Sequence, residues 1–413
     1  MAEGFETKAQ VLTPPSPTPS LGAAMHCDQV ERAIIAHFEG LDDPRGQQGL
    51  LHPFISIVMI GLLATLGGAQ GWEDIEVYAE SHQQWLASFL PLPSGVPHAD
   101  TYRRLFERIS PEAMERSFRG WLSRLVADLG AQVIPIDGKA LNGSYDRNRE
   151  QSALQVVSAW ASEHRLFLGQ VKVDSKSNEI TAIPALLNLL DLAGSIITID
   201  AMGTQHEVAR QIQAHGADYV LALKANHPTL FRQVEQWFEA ADASGFEGIE
   251  QSADIRVESG HHRIEKRQVW AVGVDQMGSL YKQAQWVGLQ TIVKVTRTRQ
   301  LWNKSTQETM FYLTSLPPQA AQVGRAIRQH WSIENQLHWV LDVTFGEDAS
   351  RIRTGHAPEN MALLRRWSLS LLNQETSTKR STRQKARRAS MDPAYMLKVL
   401  AATKTLQDNA SDA

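Results

Sequence analysis

The chain has 413 residues, 43% of them hydrophobic and 21% charged, with a formal net charge of −4. Such a composition belongs to an ordinary soluble globular chain, and the length allows two or three domains or one large domain with insertions. The single Cys27 excludes a disulfide framework and a cysteine-based zinc site, and it suits a reducing cytosol.

The first twenty residues, MAEGFETKAQVLTPPSPTPS, carry acids, proline and serine but no apolar signal core, so residues 1–25 read as a disordered leader. Residues 26–130 read as an N-terminal helical domain. Amphipathic periodicity runs through VERAIIAHFEGL, WEDIEVYAESHQQWLASFL and DTYRRLFERISPEAMERSFRGWLSRLVADL. Asp100 and Ser110 suit helix N-caps, the latter followed by Pro111 at the first helical position. The stretch from Leu50 to Trp72 lacks Asp, Glu, Lys and Arg, but Pro53 and Gly67-Gly68 interrupt it before a bilayer span is complete. It is predicted to be a buried core helix. The helical module can bind DNA or merely scaffold the rest of the chain; the residues favour neither.

From residue 131 the pattern changes to strands alternating with helices. VIPID is a strand ending at Asp137, LQVVSAWAS and RLFLGQVKVD form a hairpin around Glu163-His164, and IPALLNLLDL is a helix with Pro184 near its start. SIITID is a strand ending at Asp200, HEVARQIQAHG a helix stopped by Gly216, ADYVLALK a strand, and PTLFRQVEQWFEAA a helix with Pro228 in its first turn. Three strands, a helix, then strand–helix–strand–helix is the order of a ribonuclease-H-like fold. The first and fourth strands of that fold lie side by side, which brings Asp137 and Asp200 together across 63 residues of sequence.

Residues 245–318 break the alternation with β-rich segments and read as an inserted antiparallel unit. A helical pattern then resumes, in which His330, Glu334 and His338 are spaced i, i+4, i+8 and share a face. A carboxylate at the end of a buried strand is costly unless it meets a positive group. Two such strand ends and a helix-borne glutamate make a set of hard oxygen ligands suited to Mg²⁺, with Mn²⁺ as a substitute. Two ions roughly 3.5–4 Å apart serve phosphodiester chemistry, one activating the nucleophile and the other holding the leaving oxygen. Asp137 would bridge both ions, with Asp200 and Glu334 each completing one site. His261-His262 with His330 and His338 invite a zinc reading, but third and fourth ligands at suitable spacing are missing. Asp342, Glu347 and Asp348 are rivals for the third carboxylate, and Asp342 also suits a supporting role beside Glu334.

Residues 376–413 form a basic C-terminal tail whose densest run, KRSTRQKARR, suits phosphate contacts, although a solvated tail explains the run equally well.

The segment RQHWSIENQLHWVLDVTFGEDASRIRTGHAPENMALLRR, with IDGKALNGS and IDAMGTQ, resembles the DDE transposases of bacterial insertion sequences, in particular the H-repeat-associated branch. The likeness extends to LALKANH at 221–227 and, more loosely, to FEGLDDPRGQQGLLHPF and GWEDIEVYAE, and so covers roughly residues 30–370. It implies an α/β protein with a ribonuclease-H-like catalytic core, a mixed central sheet flanked by helices, over residues 131–375. It further implies that Asp137, Asp200 and Glu334 are catalytic and bind two Mg²⁺ ions. Relatives carry Tyr-x2-Arg-x3-Glu-x6-Lys around the glutamate, where this chain has Ile327, His330 and Leu341; many carry Gln where His227 stands. DNA contacts are expected from Lys139, Lys224, Asn226, His330, Arg351 and Arg353, Arg297 and Arg299 also suit the DNA backbone, and Trp270, Trp286 or Trp302 of the insertion can stack on an unpaired base. The partners so implied are transposon ends and target DNA, engaged by a homo-oligomer in the bacterial cytoplasm, at the nucleoid, with no membrane. Three readings remain open: an active transposase, a nuclease of the same fold without strand transfer, and an inactive DNA-binding remnant.

Overall fold

The structure, a computed structural model, describes residues 35–127, 131–147, 152–173, 179–260 and 263–410, apart from 39, 47 and 49. The leader, Cys27 and His261-His262 lie outside the described residues.

Nine strands form one sheet in the order β3-β2-β1-β4-β5-β9-β8-β7-β6. They are β1 (Val133–Leu141), β2 (Leu154–Ala161), β3 (Leu166–Lys172), β4 (Ile196–Ile199), β5 (Asp218–Leu223), β6 (Gln251–Gly260), β7 (Arg263–Gly273), β8 (Thr291–Leu301) and β9 (Ser305–Thr314). Only β1–β4 and β4–β5 are parallel. The central runs VIPI, IITI and YVLAL are apolar without alternation because helices cover both faces of the sheet. The first five strands make the ribonuclease-H-like order read from the sequence. The β-rich insertion continues that sheet, since β9 pairs antiparallel with β5 from Val220↔Thr314 to Leu223↔Phe311.

One face packs Ile134, Ile136, Ile197, Ile199, Tyr219 and Leu221 into the main core with residues of α6 (Glu179–Leu189), α7 (His206–Ala214) and α8 (Pro228–Ala243). The opposite face presents Val133, Val220, Val269, Val293 and Val295 to α9 (Ala320–His330), which contributes Ala320, Val323, Ala326 and Ile327. Pro184 sits inside α6, which begins at Glu179, several residues before the expected start. Packing of Ala182, Ile183, Leu186 and Leu187 extends the helix across a proline that lacks an N–H to donate.

The N-terminal helices are α1 (Phe54–Leu66), α2 (Trp72–Ser81), α3 (Gln83–Leu86), α4 (Ala99–Phe106) and α5 (Pro111–Ala127). Helix α1 is the apolar stretch, buried almost throughout, and among the described residues no helix is long and apolar enough to cross a membrane. Ser110 caps α5, accepting from Ala113 N at 3.2 Å. The cap of α4 is His98, not Asp100: His98 Nδ1 accepts from Asp100 N at 3.3 Å, which places Asp100 in the first turn, where it pairs with Arg103.

These helices share a core with α11 (Ala357–Gln374): Phe118 stacks on Trp367 at 4.0 Å, and Asn360 Nδ2 donates to the carbonyls of Phe106 and Ile109. The basic run folds as well. Within α12 (Thr382–Ala389), Lys385 is buried and donates to Leu372 O, while Tyr395, Met396 and Val399 of α13 (Pro393–Ala410) join the core. The run is therefore not simply a solvated tail, because its helix buries Lys385, Ala386 and Ala389.

Candidate active site

Strand β1 continues to Leu141, so Asp137 lies within it, paired with Ser158, rather than at its end. The parallel pairing with β4 does end at Ile136↔Ile199, and Asp200 follows Ile199 directly. Asp137 and Asp200 thus succeed a matched pair on neighbouring strands. Side chains alternate along a strand, so Asp137 shares the face of Val133, which meets α9. Asp200 shares the side of Thr198, whose hydroxyl is 2.9 Å from His330 Nδ1 at the end of α9.

Beyond α9 the chain makes a π-helical turn, Ile333–His338, before resuming as α10 (Trp339–Phe345). Such turns widen a helix locally and recur at functional sites. Glu334 is exposed at the start of the turn and acts electrostatically on Asp137. His338 closes the turn with Nδ1 3.5 Å from Asp137 Oδ2. Burial first, then Arg366 and Lys139, push this imidazole down to about 3. It is therefore neutral at pH 7, and the contact is not an ion pair. Burial likewise lowers His330.

The Asp137 carboxyl is pushed up to about 7, by burial most of all and then by Asp200, with Glu179 and Glu334 adding repulsion. Glu179, the first residue of α6, is the carboxylate that the sequence reading missed. Its side chain lies across Gly138, where a Cβ would overlap its carboxylate, and burial followed by Asp200 raises it too. A lone glutamate at a helix start has no motif; only the glycine after Asp137 hinted that something must pass close to the strand.

The loop after Asp200 is held firmly. Asp200 Oδ1 accepts from Met202 N at 3.0 Å and Gly203 N at 3.3 Å, and Thr204 Oγ1 donates to Ala222 O. Asn226 Nδ2 donates to Ala201 O at 2.5 Å and His227 Nε2 lies 2.7 Å from Thr204 O, so two residues of LALKANH brace this loop. Lys224 is exposed beside them.

Other candidates have internal partners. Lys139 Nζ donates to Asp342 Oδ2 at 2.8 Å and lies 3.6 Å from Asp348. Glu347 is fully buried in an ion pair with Arg366 at 2.6 Å and so is no rival for the third carboxylate. Arg353 Nε donates to Gly143 O, whereas Arg351 is exposed on the wall of a separate cavity that touches α2. Among the insertion's tryptophans, Trp286 is buried between His206 and His227, and Trp270 lies against Phe246 and under Lys294. Trp302, 94% exposed at the β8–β9 hairpin, is available to a partner.

Among the described residues no three His, Cys, Asp or Glu side chains already stand at the spacing of a single metal ion. The donor set nonetheless fits a hard divalent cation. Asp200, Glu179 and Glu334 all act against negative charge on Asp137, and a bound cation would relieve that repulsion.

Comparison with known proteins shows the family. The family described as Transposase DDE domain matches residues 126–371, and the one described as DDE_Tnp_1-associated matches residues 35–122. The chain belongs to the DDE transposase family. Its relatives include "Putative protein YbfL" of Escherichia coli K12, 35% identical over 90% of this chain and 98% of that protein. The "H repeat-associated putative transposase YhhI" of the same organism is 34% identical over the same shares. A solved piggyBac transposase synaptic complex with hairpin DNA aligns at a TM-score of 0.40 and 10% identity, covering 93% of this chain and 81% of that one.

Proposed function

We propose that this family member binds the ends of an insertion sequence and catalyses DNA strand cleavage and strand transfer, with Asp137, Asp200 and Glu334 as the catalytic residues. The observation that carries the reading is the placement of Asp137 and Asp200 side by side after Ile136↔Ile199, on the sheet face that α9 and the π turn cover. The three carboxylates, with Glu179 in reach, would hold two Mg²⁺ ions. When bound, those ions activate the attacking oxygen and stabilise the leaving one.

The chain's own residues supply position. The Asx-type bonds to Met202 and Gly203 fix the Asp200 carboxylate, and Asn226 and His227 keep its loop against β5. Neutral His338 packs beside Asp137 without competing for its charge. Lys139 and Asp342 tie β1 to α10. The active unit is a homo-oligomer acting on DNA in the bacterial cytoplasm.

The test is a strand-cleavage and joining assay on a labelled duplex carrying the gene's flanking sequence, with Mg²⁺ or Mn²⁺ and with Glu334→Gln alongside. Metal-dependent joining that disappears in the variant supports the transposase. Cutting without joining favours a nuclease, and binding without cutting an inactive remnant.

A further inference from the structure

Strands β7, β8 and β9 run past the point where β5 stops. Pairing of β5 with β9 ends at Leu223↔Phe311, whereas β8 and β9 continue pairing to Gln300↔Ser305. The overhang lies at the same end of the sheet as Asp137 and Asp200. On the α9 face its proximal part is apolar, with Val269 and Val295, and its distal part is basic, with Arg263, Arg267, Arg297 and Arg299. Alternation dictates this, because these residues lie two apart on adjacent strands in register: Arg267 faces Arg297, and Glu265 faces Arg299.

Glu265 organises the patch. It is 4% exposed, bonds Arg267, and accepts from Arg297 Nη2 at 3.1 Å. Two guanidinium groups that would repel each other in register are thereby held side by side, each retaining N–H donors not spent on the glutamate. Facing this floor is a wall made by Arg328, Trp331, Ser332, Glu334 and Asn335. Floor and wall enclose a cavity of about 740 Å³ with Glu334 on its lining.

We propose that this arginine-floored groove binds the sugar–phosphate backbone of an unpaired DNA strand and leads it to Glu334. The inference rests on the reading of the chain as a DNA strand-transfer enzyme. The cavity is too small to enclose a duplex, since its volume falls within the roughly 300–1,000 Å³ of pockets that hold a single small ligand. Guanidinium forks match phosphate oxygens, and Trp331, half-exposed on the wall, offers a ring face to a base. Of the residues expected from sequence to touch DNA, Arg297 is on this lining, whereas Lys139, Lys224, Asn226, His330, Arg351 and Arg353 are not.

The experiment measures binding by fluorescence anisotropy in EDTA, which leaves metal-dependent cutting out of the readout. The probes are a labelled single strand of about 12 nucleotides, within the range one small domain covers, and a blunt duplex of the same sequence. The variant is Arg263→Gln with Arg328→Gln. Neither of these arginines bonds Glu265, and Arg328 has only a surface pairing with Glu258 at 3.6 Å, so the fold should tolerate the pair. Single-strand affinity should fall about tenfold and the slope of log affinity against log salt should flatten by about 1.4, two contacts at roughly 0.7 each. Duplex affinity should hold. Unchanged single-strand affinity and slope, or an equal loss for both probes, would overturn the groove. Metal-dependent cutting by the wild-type chain in a parallel assay separates the two ideas. If the wild type cuts and the variant binds single strands normally, the groove fails and the proposed function stands. If the wild type neither binds nor cuts DNA, both fail.

Discussion

Lys139 and Asp342 join the strand that carries Asp137 to the helix that comes after Glu334. The ammonium donates to the carboxylate at 2.8 Å, and only 10% of the lysine side chain is exposed. Lys139 is two residues beyond Asp137, and Asp342 eight beyond Glu334. The pair therefore sets the distance between two proposed metal ligands.

If that is its role, Lys139→Met and Asp342→Asn should each lower cleavage about tenfold and stability by roughly 1.5–3 kcal/mol, the range for hydrogen bonds to charged groups. Their double variant should be little worse than either single one. Cleavage and DNA affinity measured on all four proteins decide the matter. A loss of DNA affinity in Lys139→Met, absent from Asp342→Asn, would mean that the lysine reaches phosphate instead.

Asp137→Asn, Asp200→Asn and Glu334→Gln should each reduce cleavage by roughly a hundredfold or more while single- and double-stranded DNA still bind. Glu179→Gln should give a smaller defect that extra Mg²⁺ partly restores, since this residue stands beside the three proposed ligands rather than among them. Metal titrations of cleavage for the four variants read this directly; equal activity in Asp200→Asn and wild type would remove Asp200 from the ligand set.

The crowded carboxylates carry a cost in stability when no cation is bound. At pH 8 in EDTA, Asp137→Asn should melt above the wild type, because it removes a buried charge that three carboxylates oppose. Adding Mg²⁺ should raise the wild-type Tm and leave the variant nearly unmoved. A variant that melts lower in EDTA would show that the charge is compensated in a way the neighbouring side chains do not reveal.

Glu115 of α5 accepts from Gln170 N at 2.9 Å, yet burial lifts its carboxyl from 4.5 to about 7. Between those values the folded chain keeps a proton that the unfolded chain has lost, so stability falls as pH rises, and the full penalty is present above about 7. Glu115→Gln keeps an acceptor and removes the charge. It should gain on the order of 2 kcal/mol over the wild type at pH 8 and nothing at pH 4. Denaturant midpoints at the two pH values test the sign.

Much of the core was legible because buried parallel strands write themselves as unbroken β-branched runs. VIPI and IITI announce their strands, and the acid after each marks where the sheet presents charge. Glu334 was legible by position in a helical pattern, but the π turn that carries it was not, since 3.6 and 4.4 residues per turn leave the same apolar residues inward over so short a stretch. The partner of Lys139 depends on a contact across 203 residues. Glu265 at the centre of four arginines looked like one more alternating charge, because strand register is invisible in a single sequence. The Pro-flanked insertion was legible as antiparallel, but its continuity with β5 rests on pairing that no local signal encodes.

The π turn also defines a point of fragility. Ile333–His338 fits one residue more than an α-helix would need between α9 and α10, and that surplus sets the azimuth of everything before it relative to everything after. Losing a single codon there would let the helix run on in ordinary phase, its apolar residues still able to find the core. Glu334 or His338 would swing by about 100°, one residue's turn. The gene can thus lapse into silence by a change too small to unfold its product, leaving a well-made protein that no longer aims.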